Sequence, residues 1–321
     1  MTTISAKVIA HSITEDGREI STVFTRSPLS YHPQNMTHRV FSRNAGSARA
    51  MPIGAVLQRI VADPVHPMCY LKNQAGMQGY ETLDPEVAKE CEAIWDLHRE
   101  MTMGAVRKLS ALGLHKQYAN RLLVPHQHID VLWTTVGWEN FFHLRNHPDA
   151  QPEEQLFAQA VQKALEESTP QLLREGEWHL PWIRNEDWDR AFEYLGVGNS
   201  NSPASMNDVL DLLKNISASR CATLSYGNAD GTASTFEKDI ARVAKLQGDP
   251  LHASPFEHQA TPDKKILIDR KQIIYSEIFP GAVEKTIDLG AREEWAHPEL
   301  HGNLTGFIQY RKTLPNEAIV G

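Results

Sequence analysis

Between Thr37 and Ala50 the chain reads THRVFSRNAGSARA, with one histidine, three arginines, two serines, an asparagine and a glycine. Arginine forks, hydroxyls and free amides are the donors a phosphate dianion requires. The small residues Ala45, Gly46, Ser47 and Ala48 let a ligand approach the backbone closely. A solvated basic loop has the same composition, so this stretch alone leaves both readings open. Arg121-Leu-Leu-Val-Pro125 adds a further arginine just ahead of a proline. Glu139 to Arg145 (ENFFHLR) adds Asn140 and Arg145 beside Phe141 and Phe142, two rings that read as core. Leu251 to His258 (LHASPFEH) places His252, Ser254, Glu257 and His258 around a proline turn. Metal binding is conceivable there and at His126 and His128. However, side chains two apart diverge on a helix and no third ligand stands at a suitable spacing, so no metal is expected.

These residues need elements to hold them. Alternating polar and apolar residues on both sides of Glu15-Asp16-Gly17 predict a hairpin with strands over 7–12 and 19–25. Helical spacing predicts helices over 51–62, from Asp84-Pro85 to Gly113, over 115–124, 129–145 and 152–167, and later over 207–215 and 235–246. Periodicity is lost over 168–205, where Trp178, Trp182 and Trp188 stand among Pro, Gly, Asn and Ser. Residues 196–205 read as a linker, and 265–275 as β structure.

The 321 residues are 41% hydrophobic, which excludes a disordered chain, and no run of roughly 18 apolar residues could span a bilayer. Residues 1–16 lack the basic start and apolar run of a signal peptide, so a soluble, cytoplasmic protein is expected. Cys69, Cys91 and Cys221 form no paired framework and read as reduced thiols. The net charge of −8 and the lack of a basic stripe argue against a nucleic-acid polymer, whereas a mononucleotide needs only a few local arginines. Glycine-rich phosphate loops and the serine-hydrolase elbow are missing from the sequence.

The chain resembles the flavin-dependent thymidylate synthases. Their motif Arg-His-Arg-x-x-Ser-x-Asn-x-x-Ser-x-Arg-Tyr is matched at His38, Arg39, Ser42, Asn44, Ser47 and Arg49, while Thr37, Ala45 and Ala50 depart from the family pattern. Gln34 stands where the family has a nucleotide-contacting glutamine. Arg121 stands where it has a phosphate-binding arginine, and Asn140 to Arg145 with Ala150-Gln151-Pro152-Glu153 resemble its Asn-Phe-x-x-Leu-Arg and Ala-Gln-x-Glu elements. The family's opening block, an Arg-x-x-x-x-Ser segment, a helix and His-x-Thr-Pro-Phe-Glu-His, is matched by Arg220 to Ser225, residues 235–246 and His252 to His258. Here that block follows the main motif instead of preceding it.

The resemblance therefore implies a circularly permuted, virus-type member. The fold it implies is α+β, an antiparallel sheet flanked by helices, in a single catalytic domain over 1–321. Its parts would be a motif block (1–167), a linker or insertion (168–205), the permuted flavin and folate block (206–262) and a C-terminal extension (263–321). It implies FAD as cofactor, with NADPH and 5,10-methylenetetrahydrofolate as co-substrates, and transfer of one carbon to C5 of a deoxypyrimidine monophosphate, dUMP giving dTMP. It assigns catalysis to Arg145, nucleotide binding to Gln34, Ala45, Gly46, Ser47, Arg49, Arg121 and Arg145, and cofactor binding to His38, Arg39, Asn44, Asn140, His252, Ser254 and Glu257. A homotetramer and, for a viral gene, the cytoplasm of a bacterial host are also implied. The departures at Thr37, Ala45 and Ala50 keep open a dCMP methylase or hydroxymethylase, and a relative that binds nucleotide without catalysis is the reading from another class. Arg311 either replaces the charge missing at Thr37 or belongs to a surface basic pair.

Overall fold

In the computed structural model, strands β1 (Ser5–Ile13) and β2 (Glu19–Pro28) pair antiparallel from Ser5–Arg26 to Ile13–Glu19. Gly17 closes their turn at φ 83°, a backbone conformation that glycine adopts without a side-chain clash. The described residues are 2–197, 203–224, 234–275, 277–278 and 281–318. Ser225 and residues 198–202 of the expected linker therefore lie outside them.

After the short helix α1 (His32–Asn35), the middle of the arginine-rich motif forms strand β3 (Ser42–Ala45). Helix α2 (Ile53–Ala62) and the long helix α3 (Pro85–Ala111) follow, the latter capped by the Asp84 carboxylate, which accepts from Glu86 N at 3.1 Å. The expected helix over 115–124 is a short α4 (Lys116–Ala119) running into a 3-10 turn, Asn120–His126, that contains Pro125. Met51, Val56, Ile60, Met103, Val106 and Leu123 bury these pieces against one another.

The helix expected over 129–145 is two elements. Strand β4 (His128–Thr135) comes first, and α5 (Glu139–Arg145) begins only after Gly137. All eight residues of β4 are buried, because it runs between β2 and β3 with both faces covered. Ile129, Val131 and Trp133 face Phe141, Phe157 and Val161 of α5 and the next helix, α6 (Pro152–Glu166). Leu132 faces the other way, toward Cys221 and Leu224. Ile129, Val131 and Trp133 alternate with His128, Asp130 and Thr134, but the buried Leu132 interrupts the alternation and sets 129, 132 and 133 at helical spacing as well. Strand β5 (Gln171–Leu172) adds parallel to β1 and completes a sheet in the order β3-β4-β2-β1-β5.

The aperiodic stretch 168–205 contains helix α7 (Asn185–Leu195). Helix α8 (Met206–Thr223) runs well past the expected end at 215, and α9 (Phe236–Leu246) starts at the Thr235 cap. The three helices share a core of Ala191, Val209, Leu213, Ile216 and Phe236. Between them the Arg220 guanidinium is buried. It donates to Asp187 at 2.6 and 2.7 Å, to Asp239 at 2.9 Å and to the Trp182 carbonyl at 2.7 Å. Strand β6 (Ala260–Pro262) pairs with β9 (Phe307–Gln309), and between them β7 (Lys265–Tyr275) and β8 (Val283–Trp295) form a hairpin of their own. Among the described residues no helix is long and apolar enough to cross a membrane.

A buried polar row ties the later block to the sheet. Ser12 Oγ lies 2.9 Å from His179 Nδ1, whose Nε2 lies 2.8 Å from Thr22 Oγ1. Thr134 Oγ1 joins Thr22 at 2.6 Å and His258 Nδ1 at 2.8 Å. Burial pushes both histidines down to about 3, so they are neutral. Each inner group then donates once and accepts once, which leaves the row two consistent polarities.

Candidate functional site

The motif residues fall into three neighbourhoods. In the first, Arg145 at the end of α5 donates from Nε to His38 Nε2 at 3.0 Å. Its Nη2 donates to the Gln34 carbonyl at 3.1 Å and to Thr37 Oγ1 at 3.4 Å. His38 is buried edge-on to Phe141, their ring centroids 5.1 Å apart. Burial, then the Arg145 and Arg43 cations, hold its pKa below the usual histidine range. It is therefore neutral, and because Nε2 accepts from Arg145 its proton sits on Nδ1. Arg145 Nη1 makes no hydrogen bond among the described residues. Gln34 in turn donates to Gln151 Oε1 at 2.6 Å.

Beneath this knot Asn35 Nδ2 donates to Glu154 Oε1 at 3.2 Å, and Glu154 Oε2 is buried without a partner. Burial pushes the Glu154 carboxyl up to about 7, although Arg145 and Asn35 pull it down. A carboxyl raised from 4.5 binds a proton in the folded chain that the unfolded chain has lost, so stability falls as pH rises between those values. The loss amounts to roughly 3 kcal/mol across the window. Glu154→Gln is expected to flatten urea stability between pH 4.5 and 7.5; an unchanged slope would contradict the assignment. Sequence reading missed Asn35 and Glu154 because nothing in their spacing distinguishes them from surface polar residues of short helices.

The second neighbourhood joins the motif to the distant block. Asn44 on β3 is buried and donates to the Cys221 carbonyl at 2.9 Å, at the end of α8. Gln309 Nε2 bridges Ser42 Oγ at 3.2 Å and the Glu257 carbonyl at 3.1 Å. The 3-10 turn Ser254–Glu257 thereby packs on β3. Residues more than 200 apart in sequence meet here. Glu257 is paired with Arg311, which also holds Glu317 at 3.1 Å, so Arg311 is not a loose surface cation. His252 and Ser254 are exposed at the mouth of this turn.

The third neighbourhood is the turn after β3. Gly46 N donates to the Asp130 carbonyl at 2.8 Å, next to Ala45, and the Asp130 carboxylate bridges Arg26 and Arg59 at 3.0 Å each. Residues 48–51 are stitched to the 3-10 turn by Asn120, which donates to Ala48 O at 2.8 Å, and to α4 by Lys116, which donates to Ala50 O at 2.7 Å. Arg121 is therefore carried on the segment bound to the Ser47–Arg49 turn. Arg39, Arg49 and Arg121 are exposed and make no ion pair among the described residues; the Ser47 hydroxyl likewise has no partner there. Asn140, exposed on α5, has no side-chain bond to any of the three neighbourhoods among the described residues.

Other candidates separate. His126 turns to His98 at 2.8 Å, His128 lies 3.4 Å from Asp63, and His258 is buried on Thr134 while His252 is exposed. Among the described residues no group of three His, Cys, Asp or Glu could hold a metal ion. Burial pushes the Cys221 thiol far up, and Cys69 is raised as well, so neither is an activated nucleophile. A cavity of about 820 Å³ lies between β1, the end of α6 and the Trp178–Trp188 stretch, and none of the motif residues lines it.

No family model and no curated protein matches the chain. Among solved structures, the UMP/dUMP methylase PolB from Streptomyces cacaoi bound with 5-Br UMP aligns at 16% identity with a TM-score of 0.44, over 51% of this chain and 89% of that one. The same enzyme bound with 5-Br dUMP aligns at 17% identity with a TM-score of 0.40, over 51% and 90%.

Proposed function

We propose that the protein is a flavin-dependent enzyme that transfers one carbon from methylenetetrahydrofolate to C5 of a deoxypyrimidine monophosphate, dUMP giving dTMP. The observation that carries this reading is the meeting of the motif strand β3 with the turn Ser254–Glu257, two blocks that the family's order makes neighbours and this chain's order separates. A circular permutation accounts for that arrangement, since chain ends can be relocated when they lie at the surface.

The donors fit the two anionic ligands such a reaction needs. Ser47, Arg49 and Arg121, each without a protein partner among the described residues, suit a nucleotide phosphate. Arg39, Asn140, His252 and Ser254 are the exposed polar groups that would hold FAD, whose chemistry when bound is to take a hydride from NADPH and pass it on. Fixing the phosphate aligns the pyrimidine ring through binding energy remote from the reacting carbon. Arg145, with Nε on His38 and Nη2 on the Gln34 carbonyl, presents Nη1 to the ring, where it stabilises negative charge as C5 becomes nucleophilic. Neutral His38 holds that guanidinium without competing for its charge. No cysteine nucleophile enters the scheme, in keeping with the buried thiol of Cys221.

Equilibrium titration with dUMP tests the phosphate assignment. Arg49→Ala and Arg121→Ala should each weaken binding by about 10-fold or more, the effect of one charge-assisted contact of roughly 1.5–3 kcal/mol. Binding to 2′-deoxyuridine, which lacks the phosphate, should change little. Equal losses for nucleotide and nucleoside would remove the phosphate role.

A further inference from the structure

Helix α3 turns an apolar stripe outward. Its inner face is fixed to the body: Met103 and Val106 are buried with Ala119 and Leu123, and Trp95 donates to the Val65 carbonyl at 2.8 Å. On the opposite side Ile94, Leu97 and Met101 are 61%, 60% and 66% exposed, and Val87 is 45% exposed. A row of large apolar side chains in water along a 27-residue helix marks an interaction surface.

The stripe has a seven-residue period. Val87, Ile94, Met101 and Lys108 form one series, and three residues after each stand Glu90, Leu97, Gly104 and Ala111. Every member of both series is exposed. Two series so spaced form the seam of a two-helix coiled coil. When the helices run antiparallel, each residue of one series packs against a residue of the other. With a two-fold axis at the level of Arg99, Leu97 meets the partner's Met101 and Ile94 meets the partner's Gly104. A Cβ on Gly104 would meet nothing within 4 Å, so that position has room for an isoleucine. In the same register Glu90 meets the partner's Lys108, and Val87 meets the partner's Ala111. The two charges that interrupt the stripe are therefore each other's partners. Beside the seam, Glu86 is held by Lys89 at 2.8 Å and Glu100 by Arg99 at 3.6 Å within their own helix.

We propose that the outer stripe of α3 is the docking face for α3 of a second copy of this chain, the two helices antiparallel about a two-fold axis at Arg99. The stripe is self-complementary: large faces small, and acidic faces basic. One two-fold operator makes each of these contacts twice, so four apolar layers lie between two charge pairs. A parallel pair would set Glu90 on Glu90 and Lys108 on Lys108, which disfavours that orientation. A lipid surface would bury both charges without partners, which disfavours a membrane as occupant.

Sedimentation equilibrium of the full chain tests this. The wild-type chain should be heavier than a monomer and should dissociate on dilution. Gly104→Gln should weaken association at least about 10-fold, since the added side chain occupies the space of the partner's Ile94. Its melting should stay that of a folded protein, because a Cβ at this position meets nothing in its own chain. Glu90→Lys and Lys108→Glu each place like charges in both polar layers, so each should weaken association by about 10-fold or more. Mixing those two variants sets lysine against glutamate in both layers and should restore association, as should Glu90→Lys/Lys108→Glu in one chain. A monomeric wild type, unchanged association in Gly104→Gln, or single charge variants that associate like wild type would overturn the proposal. So would a mixture that fails to reassociate, or association that appears only when lipid vesicles are added.

Discussion

Arg145→Ala is expected to lower turnover by a factor on the order of 10²–10³, the usual loss when one preorganised donor to a developing charge is removed. The argument rests on how the guanidinium is held. Nε and Nη2 are committed to His38, the Gln34 carbonyl and Thr37, which leaves one edge fixed in direction before any ligand arrives. Arg145→Lys keeps the charge but cannot span His38 and Gln34 together, so it should recover little of the rate. Flavin absorbance of the purified variants should stay close to wild type, because Arg145 is not among the residues assigned to the cofactor. Wild-type turnover in Arg145→Ala would remove the residue from the chemistry. Loss of flavin together with turnover would move it to cofactor binding.

The largest effect on stability is expected at Arg220→Met. Asp187 and Asp239 are both buried against this guanidinium, and removing it leaves Asp187 without its ion-pair partner and Asp239 with Arg242 alone, at 2.9 Å. Breaking such a pair typically costs about 3–5 kcal/mol, even where a wholly apolar replacement of the cluster would be neutral. The cost has a pH signature. Arg220 and neighbouring hydrogen bonds hold the Asp187 pKa below its usual value against the burial that raises it. Wild type therefore gains stability above the unfolded carboxylate range and loses it as pH falls through the lowered value. In Arg220→Met the carboxylates can protonate, so its deficit relative to wild type should shrink from pH 7 to pH 4. Urea unfolding at both values measures this, and a deficit below about 1 kcal/mol at pH 7 would mean that the cluster is not what locks α7, α8 and α9. The same cluster matters to the site, because the next residue, Cys221, offers the carbonyl that holds Asn44 on β3.

What could be read in the sequence follows physical lines. The hairpin at Asp16-Gly17, the capped start of α3, and α6 and α9 announce themselves through turn chemistry, caps and a clear helical face. Strand β4 does not, since the buried Leu132 interrupts the alternation of Ile129, Val131 and Trp133 with His128, Asp130 and Thr134, and 129, 132 and 133 then also fit a helical period running into the true helix α5. Helix α7 is hidden for a different reason. Its ends carry local signals that loss of apolar periodicity obscures: the Asp187 carboxylate accepts from Arg184 N at 2.8 Å at the start, and Gly196, at φ 64°, closes the end. At the site, His38 and Arg145 were legible because rare residue types at fixed spacing survive without structural context. Glu154 and Asn35 were not, because their character comes from burial alone.

The most direct test of the central claim is the mass of the nucleotide after incubation of purified protein with FAD, NADPH, methylenetetrahydrofolate and dUMP, with dCMP in a parallel reaction. The account predicts that dUMP gains the mass of one methyl group and that the gain depends on NADPH and on Arg145. No change in dUMP, or a gain confined to dCMP, would contradict dUMP methylation, and no gain on either nucleotide would contradict one-carbon transfer altogether.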